Sequence, residues 1–326
     1  MPPWGWPRCA GSTRTPAMTR PTPKKPLKIG TRGSPLALAQ AHETRERLAR
    51  AWDLPDAAFE IAIITTTGDR VQDRPLKEIG GKGLFTKEIE DGLLSGQIDI
   101  AVHSMKDMPV AQPHGLVLDT FLPREDVRDA LVGPPAALED LGQGATVGTS
   151  SIRRKAQLLA RRPDLNVVEF RGNVQTRLKK LKDGVAEATF LAQAGINRLN
   201  LAEVIPATPI ETAALLPAVA QGAIGIERRA DDSGVADLLA AIHDFPTATR
   251  LAAERSFLAT LDGSCQAPIA GLATLAGATL TLSGEILRLD GSEVIAGELS
   301  GPEEDAAFMG EGLAQRLKAQ AGEGFW

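Results

Sequence analysis

Short apolar segments and segments of helical periodicity alternate along the first half of the chain. LKIGTR, FEIAIITTT and IDIAVHS are short and rich in β-branched residues, which is typical of buried strands. Between the first two, SPLALAQAHETRERLARAW predicts a helix that begins after Ser34, with Pro35 in its first turn. LFTKEIEDGLL predicts a further helix with Phe85, Ile89 and Leu93 on one face. This alternation of strands and helices indicates an open α/β sheet.

The same alternation returns after residue 140. ATVGTS, VVEF and ATFLAQA predict strands, and SIRRKAQLLARR and NVQTRLKKL predict the helices between them. In the first helix, the buried side is expected to hold Ile152, Ala156 and Leu159, and in the second, Val174, Leu178 and Leu181 are aligned on one face. A second α/β sheet is therefore predicted.

The pattern changes near residue 270. TLTLSGEILRLDGSEVIAGEL predicts antiparallel strands with a turn at Asp290-Gly291, and a helix is expected from about Glu303 to Gln320. Strands followed by a single helix indicate a smaller α+β domain at the C-terminus.

The first 26 residues differ from the rest. They are rich in proline, basic and free of acidic residues, so we expect a disordered tail, or an upstream start with Met18 as the initiator. A transit peptide also lacks acids, but the repeated prolines oppose its amphipathic helix. Cys9 belongs to this tail, and no role is predicted for it.

Composition narrows the function classes. A length of 326 residues fits two or three domains, and no stretch approaches the roughly 18 apolar residues of a membrane span. The net charge of −5 and the absence of tyrosine argue against a nucleic-acid partner. Two cysteines provide no disulfide framework, which fits a reducing compartment, and four dispersed histidines predict no metal site.

The arginines suggest an anionic ligand. Arginine outnumbers lysine about two to one, and several arginines follow a strand or begin a helix, where backbone N–H groups also face anions. The arginines in such places are Arg32, Arg153, Arg154, Arg171, Arg177 and Arg198. Any one of them could be an ordinary surface charge, but together they predict a site for several carboxylates or phosphates.

IDIAVHSMKDMP places His103, Lys106 and Asp107 just past an apolar strand. A carboxylate at such a strand end could move a proton or face a cation, although a turn or helix cap is the commoner role. GGKGLF is glycine-rich but lacks the GxxxxGK[ST] frame of a phosphate loop.

Cys265 lies in LDGSCQAP, the other cysteine-containing segment. A free cysteine is usually a small buried apolar residue, and a catalytic thiolate would need a base such as His103 brought in by the fold. The flanking Asp262, Gly263 and Ser264 instead suggest a turn in which the thiol is accessible.

Taken together, eight segments resemble the porphobilinogen deaminase (hydroxymethylbilane synthase) family, in that family's order and spacing, from about Leu27 to the final helix. The segments are TRGSPLALAQ, GGKGLFTKEIE, AVHSMKDMP, REDVRDAL, VGTSSIRR, FRGNVQTRL, LPAVAQGAIGIE and DGSCQAPIA. Any one of these segments would be weak evidence, but eight segments in the same order make the resemblance specific.

The resemblance implies an enzyme that joins four porphobilinogen units head to tail with loss of ammonia and then releases hydroxymethylbilane by hydrolysis. It implies a dipyrromethane cofactor bound through a thioether to Cys265, with Asp107 as the catalytic aspartate. The implied carboxylate-binding residues are Arg32, Ser34, Lys82, Lys106, Ser151, Arg153, Arg154, Arg171, Arg177 and Arg198, with Phe85 and Gln221 in support. One departure is Glu78, beside Lys77, where the family often has a lysine.

The resemblance also implies the domain organisation: two periplasmic-binding-protein-like α/β domains with a cleft between them, and a smaller α+β domain bearing the cysteine. The expected boundaries are 27–121 with 222–243, then 122–221, then 244–326, and GDRVQDRPLKEIGG is expected to cover the cleft. We expect a cytoplasmic monomer whose partners are porphobilinogen and the growing oligopyrrole, without nucleic acid, membrane or metal. The alternative is a non-catalytic anion-binding module, which would need neither Asp107 nor Cys265.

Overall fold

The computed structural model describes residues 20–70, 86–262, 267–322 and 324–325, which fold around three β-sheets. The strands in these ranges are β1 (Leu27–Thr31), β2 (Phe59–Ile63), β3 (Ile100–Ser104), β4 (Leu116–Phe121), β5 (Asp129–Val132), β6 (Thr146–Gly148), β7 (Asn166–Val168), β8 (Ala188–Ala192), β9 (Ala207–Pro209), β10 (Ile224–Arg229), β11 (Ile269–Ala276), β12 (Thr279–Leu287) and β13 (Val294–Pro302). The α-helices are α1 (Pro35–Trp52), α2 (Thr67–Arg70), α3 (Lys87–Leu94), α4 (Ile152–Arg161), α5 (Val174–Lys182), α6 (Gln193–Arg198), α7 (Ser233–Ala240), α8 (Phe245–Thr260) and α9 (Ala306–Ala321).

The first two sheets have equivalent strand orders. The first is β2-β1-β3-β10-β4 and the second is β7-β6-β8-β5-β9. In each sheet, the first three strands in this order are parallel to one another, and the fourth strand in the order runs antiparallel to the strands on both sides of it. In the first sheet that strand is β10, which follows every strand of the second sheet in the chain, and in the second sheet it is β5, which comes directly after β4. The chain therefore crosses twice between the two α/β units.

Local side-chain signals set the helix starts. Ser34 Oγ accepts a hydrogen bond from Ala37 N at 3.2 Å and caps α1, while Ser151 and Asn173 cap α4 and α5 in the same way. At its C-terminal end, α1 stops at Asp53, which has a left-handed φ of 51°. The predicted start of α1 at Ser34 is confirmed.

The predicted buried face of α4 is only partly correct. Ala156 is buried as expected, but Ile152 and Leu159 are half-buried, while Arg153 and Arg154 are each only 5% exposed. A carboxylate at the start of β5 draws both guanidiniums inward, so ion pairing outweighs the apolar period. In α5 the three aligned residues Val174, Leu178 and Leu181 do share one face, which is half-buried against the second unit's core.

The third unit is an antiparallel sheet covered by two helices. Its strand order is β11-β12-β13, and α8 and α9 pack against it around the buried Phe257. The predicted turn between β12 and β13 is present, and Gly291 in it has a φ of 76°. A Cβ at Gly291 would come within 2.5 Å of Ala160 N, so this turn lies against α4 of the second unit. The predicted class, two α/β units with a smaller α+β unit, is confirmed.

Several elements have weak sequence signals and were not predicted, among them β4, β5, β10, α7 and α8. Residues 20–26, assigned above to the tail, form a turn in which Thr22 and Lys25 exchange backbone hydrogen bonds and Arg20 lies 5.1 Å above the ring of Trp52. No helix in the described ranges is long and apolar enough to cross a membrane.

Candidate active site

The first wall of the candidate site follows β3. This strand continues into a short 3-10 helix, Met105–Asp107, and Met105 N donates to Ala223 O at 3.0 Å. Gln40 and Ser104 are hydrogen-bonded through their side chains at 2.8 Å, which joins α1 to the end of the strand. Lys106 is half-buried and Asp107 is exposed, so both are accessible at the carboxyl end of the sheet.

The second wall is the N-terminal turn of α4. Arg153 Nη1 donates to Asp129 Oδ2 at 2.7 Å, and Arg154 Nη2 donates to Asp129 Oδ1 at 2.6 Å. Burial alone would raise the pKa of Asp129, but the two guanidiniums outweigh it and hold that pKa well below its usual range. A single buried carboxylate thus serves two buried guanidiniums, which leaves one positive charge uncompensated within this trio.

Charges from the two walls act on one another. The pKa of Lys106 is lowered to about 8, mainly by loss of hydration; the charges of Arg154 and Arg153 act in the same direction, whereas Asp107 and Asp129 oppose the shift. For Arg177, burial lowers the pKa to about 10, with a further contribution from Arg154. We call Lys106, Arg153, Arg154 and Arg177 the cationic cluster. Its groups repel one another and would be stabilised by an anion.

Among the predicted anion-binding arginines, two buried donors have no hydrogen-bond acceptor in the described part of the chain. They are Arg153 Nε and Arg171 Nη1. Arg177, by contrast, donates from Nε to Gly172 O at 3.0 Å, which fixes its guanidinium beside the start of α5. Unpaired buried donors are costly, so these N–H groups suit a ligand with several acceptor oxygens.

Arg198 joins the two α/β units. Its Nε donates to Glu43 Oε2 on α1 at 3.1 Å, and its Nη2 donates to Gly222 O at 3.1 Å. Arg32 is half-buried directly after β1, and the hydroxyl of Ser34 caps α1. The carboxylate-binding roles of these three residues stay predictions.

Gln221 is a buried residue that hydrogen-bonds to the carboxylate of this ion pair. Its Nε2 donates to Asp129 Oδ1 and to Val127 O, both at 2.9 Å, and its side chain is buried. Its main-chain oxygen accepts from Arg124 Nε at 2.9 Å, and Arg124 forms a bidentate pair with the buried Glu254. A buried polar network therefore connects Asp129 to the third unit.

Three predicted site residues lie outside the described residues: Lys82 and Phe85, in 71–85, and Cys265, in 263–266. The departure at Lys77 and Glu78 and most of the predicted cleft-covering segment fall in 71–85 as well. In the chain, residues 263–266 connect the end of α8 with β11.

His103 does not lie past the strand, as its sequence position suggested. It is within β3, buried, and its Nε2 is 3.2 Å from Glu227 Oε2 on β10. This contact pairs the imidazole with a carboxylate inside the first unit. In the described ranges, no group of three His, Cys, Asp or Glu side chains could hold a metal ion.

Sequence reasoning missed Asp129, the carboxylate on which the second wall depends. It occurs in REDVRDAL, immediately before the apolar residues of β5, and a lone acid that begins a buried strand was the available signal. Its partners are 24 and 25 residues away in the sequence, so local spacing could not identify them.

Replacing Asp129 with asparagine is expected to lower the free energy of unfolding by about 3–5 kcal/mol, because two buried guanidiniums would lose their counter-charge. Because the pKa of Asp129 is lower in the folded protein than in the unfolded chain, the ionised carboxylate adds to the free energy of unfolding at all pH values above about 4, the unfolded pKa. This stabilisation is lost progressively as the pH falls from there through the folded pKa. Urea unfolding at neutral and acidic pH measures both effects.

The matched control is Asp237→Asn, which removes an exposed carboxylate from α7. It should leave the urea midpoint unchanged. An Asp129→Asn protein as stable as this control at neutral pH would contradict the argument.

Comparisons with known proteins agree with one another. A family model described as "Porphobilinogen deaminase, dipyromethane cofactor binding domain" matches residues 27–237, and one described as "Porphobilinogen deaminase, C-terminal domain" matches residues 248–319. The chain is 66% identical over 307 residues to "Porphobilinogen deaminase" of Paracoccus denitrificans, covering 94% of this chain and 98% of that protein. It is 54% identical over 300 residues to the protein of the same name from Nitrobacter winogradskyi, covering 91% and 94%.

A solved structure with a similar chain path is the periplasmic VFT2 domain of BvgS from Bordetella pertussis. It is 17% identical, covers 66% of this chain and 86% of that domain, and has a TM-score of 0.39.

Proposed function

The chain belongs to the porphobilinogen deaminase family, and we propose from this that Asp107 is its catalytic carboxylate and Cys265 the residue that carries its dipyrromethane cofactor. The activity of the family is that of a transferase, which joins porphobilinogen units into hydroxymethylbilane. The proposal assigns the site residues for that activity in this chain.

The observation that carries the proposal is the surplus of buried positive charge. Two guanidiniums share Asp129, and burial lowers the pKa of both Lys106 and Arg177 beside them. Each pyrrole unit carries an acetate and a propionate, so a growing chain brings many carboxylates. Burying such anions without counter-charges would cost several kcal/mol each, which is the cost that this cluster removes.

The described residues also suit the cofactor. Arg153 Nε and Arg171 Nη1 are buried donors without acceptors in the described residues, and carboxylate oxygens form strong hydrogen bonds with guanidinium donors. We assign these two arginines, with Arg177 and Lys106, to the carboxylates of the cofactor and substrate pyrroles. When bound, the dipyrromethane supplies the pyrrole carbon to which the first substrate unit is joined.

Asp107 has a different role. Loss of ammonia leaves a cation on the incoming pyrrole, and a carboxylate beside that cation lowers the barrier to its formation. Asp107 is exposed at the end of β3, next to Lys106, and so can contact a pyrrole whose carboxylates bind the cationic cluster. It can also accept hydrogen bonds from pyrrole N–H groups, donate a proton to the leaving amine when protonated, and take up the proton that the ring carbon loses once the new bond has formed.

The test is steady-state kinetics with porphobilinogen, following its consumption and the ammonia released. Porphobilinogen and ammonia should change in equal amounts as four units enter each hydroxymethylbilane. A chain that carries its cofactor and consumes no porphobilinogen would contradict the proposal.

Raising the pH is expected to weaken substrate binding from about pH 8 upward. The ammonium of Lys106 loses its proton there, because burial lowers its pKa to about 8, and a neutral amine no longer attracts a carboxylate. Binding must then take up a proton, so KM should rise by up to about tenfold per pH unit above this value. The measurement is KM for porphobilinogen between about pH 7 and about pH 10.

Two lysine variants make this result specific. Lys106→Met should raise KM at neutral pH and flatten its dependence on pH, whereas Lys155→Met, at an exposed lysine on α4, should match the wild type. An equally steep rise of KM in Lys106→Met would show that another group titrates.

We further propose that the enzyme acts as a cytoplasmic monomer on porphobilinogen and the growing oligopyrrole. The scarcity of cysteine supports a reducing compartment. The domain boundaries 27–121 with 222–243, 122–221 and 244–326 are proposed alongside; they are consistent with β10 pairing in the first sheet and with the separate third sheet.

A further inference from the structure

Gln157 is a buried amide on α4 that contacts both the cationic cluster and the third unit. Its Oε1 accepts from Arg153 Nη1 at 2.9 Å. Its Nε2 donates to Glu285 Oε2 at 2.5 Å and to Leu216 O at 3.0 Å. The reverse orientation of the amide would set its NH2 against a guanidinium and its oxygen against a carboxylate, so these partners fix the orientation.

Glu285 belongs to β12 and is only 6% exposed. It lies opposite Ala270 on β11, the strand that follows the segment containing Cys265. Its other carboxylate oxygen is 3.7 Å from Arg161 Nη2, at the C-terminal end of α4. The hydrogen bond from Gln157 therefore joins the cationic cluster to the sheet of the third unit.

The hydrogen bonds of the Arg153 guanidinium are made by one of its terminal nitrogens. Nη1 donates to Asp129 Oδ2, to Gln157 Oε1 and to Leu216 O, at 2.7, 2.9 and 3.1 Å. Nε is buried and has no acceptor in the ranges that the structure describes. With Nη1 fixed by three acceptors, the plane of the guanidinium is set and Nε is left for an anion.

We propose that Gln157 and Glu285 are positioning residues that hold the guanidinium of Arg153 in the orientation that binds a substrate carboxylate. The inference rests on the proposed function, because the carboxylate in question is that of a pyrrole. Without Gln157, the Arg153 guanidinium keeps its ion pair with Asp129 but loses an acceptor that sets its plane, so it can pivot about that pair and turn Nε away from the ligand. Without the carboxylate of Glu285, the amide loses the charged partner that fixes it.

A variant pair with exchanged groups tests this role. Gln157→Glu sets a second carboxylate against Glu285, and the repulsion should displace the side chain at 157 and Arg153 with it. We expect KM for porphobilinogen to rise about tenfold with kcat within about threefold of wild type, since binding geometry is lost and the reacting groups are not. Adding Glu285→Gln restores a donor opposite the new carboxylate and should return KM to within about threefold of wild type.

Gln315→Glu is the matched control. Gln315 Nε2 donates to Glu311 Oε1 at 2.9 Å on the exposed face of α9, so the substitution creates the same carboxylate pair away from the site. It should leave KM unchanged. Gln157→Met removes all three side-chain hydrogen bonds without adding charge, and serves if Gln157→Glu does not fold; the same rise in KM is expected.

Urea unfolding of each variant separates positioning from a purely structural contact. A Gln157→Glu or Gln157→Met protein with reduced stability and wild-type KM would overturn the inference, as would a folded double variant whose KM stays high. A wild-type chain without turnover would contradict the proposed function itself, whereas turnover with unchanged KM in Gln157→Met contradicts only the positioning role.

Discussion

Replacing Asp107 with asparagine is expected to lower kcat for porphobilinogen consumption by about a thousandfold. A carboxylate beside a developing cation typically contributes two to four orders of magnitude through electrostatic stabilisation and proton transfer, and asparagine keeps the shape but supplies neither. KM should stay the same or fall slightly, because the change removes a negative charge from a site that binds anions. The same change lowers the pKa of Lys106 further, because in the wild-type protein the negative charge of Asp107 opposes the lowering of that pKa.

Steady-state kinetics at about pH 7, below the wild-type pKa of Lys106, measure kcat and KM separately. Asp237→Asn, at an exposed position on α7, is the control for loss of a carboxylate as such, and should retain wild-type kinetics. Asp107 is itself exposed, so a folding defect is not expected. An Asp107→Asn enzyme with near-normal kcat would refute its assignment as the catalytic carboxylate.

Replacing Cys265 with serine is expected to abolish both the covalently bound pyrroles and nearly all turnover. A thioether survives denaturation and a non-covalent ligand does not, so the intact mass of the denatured wild-type protein should exceed that of the polypeptide by two pyrrole units. The variant should show the polypeptide mass alone. Without an attached primer, the chain offers no fixed pyrrole carbon for the first substrate unit.

Cys9→Ser is the matched control, because Cys9 is the other of the two cysteines in the chain. It should keep both the additional mass and the activity. If an active, freshly prepared wild-type protein has no additional mass, the proposed attachment is wrong. If the chain carries no pyrrole, consumes no porphobilinogen and still binds carboxylates, the alternative of a non-catalytic anion-binding module is supported instead.

The fold illustrates how far local patterns reach. Ser34, Ser151 and Asn173 each cap the helix that follows them, because the capping hydrogen bond spans only three residues and can be read from the sequence. The strand–helix alternation likewise predicts two α/β units. It does not predict that β10 is inserted between β3 and β4, since strand pairing depends on where the chain returns after the second unit.

The candidate site also combines features that the sequence determines with features that only the tertiary structure determines. The sequence by itself determined the family, the α/β class and the identity of the cationic residues proposed for the site, because residue types and their order along the chain carry that information. Only the tertiary structure decided that Arg153 and Arg154 share Asp129, that His103 pairs with Glu227, and that Gln157 reaches Glu285, 128 residues away in the chain. Buried charges and amides take whichever partners packing brings within hydrogen-bond distance, and in this protein those partners come from distant strands and helices.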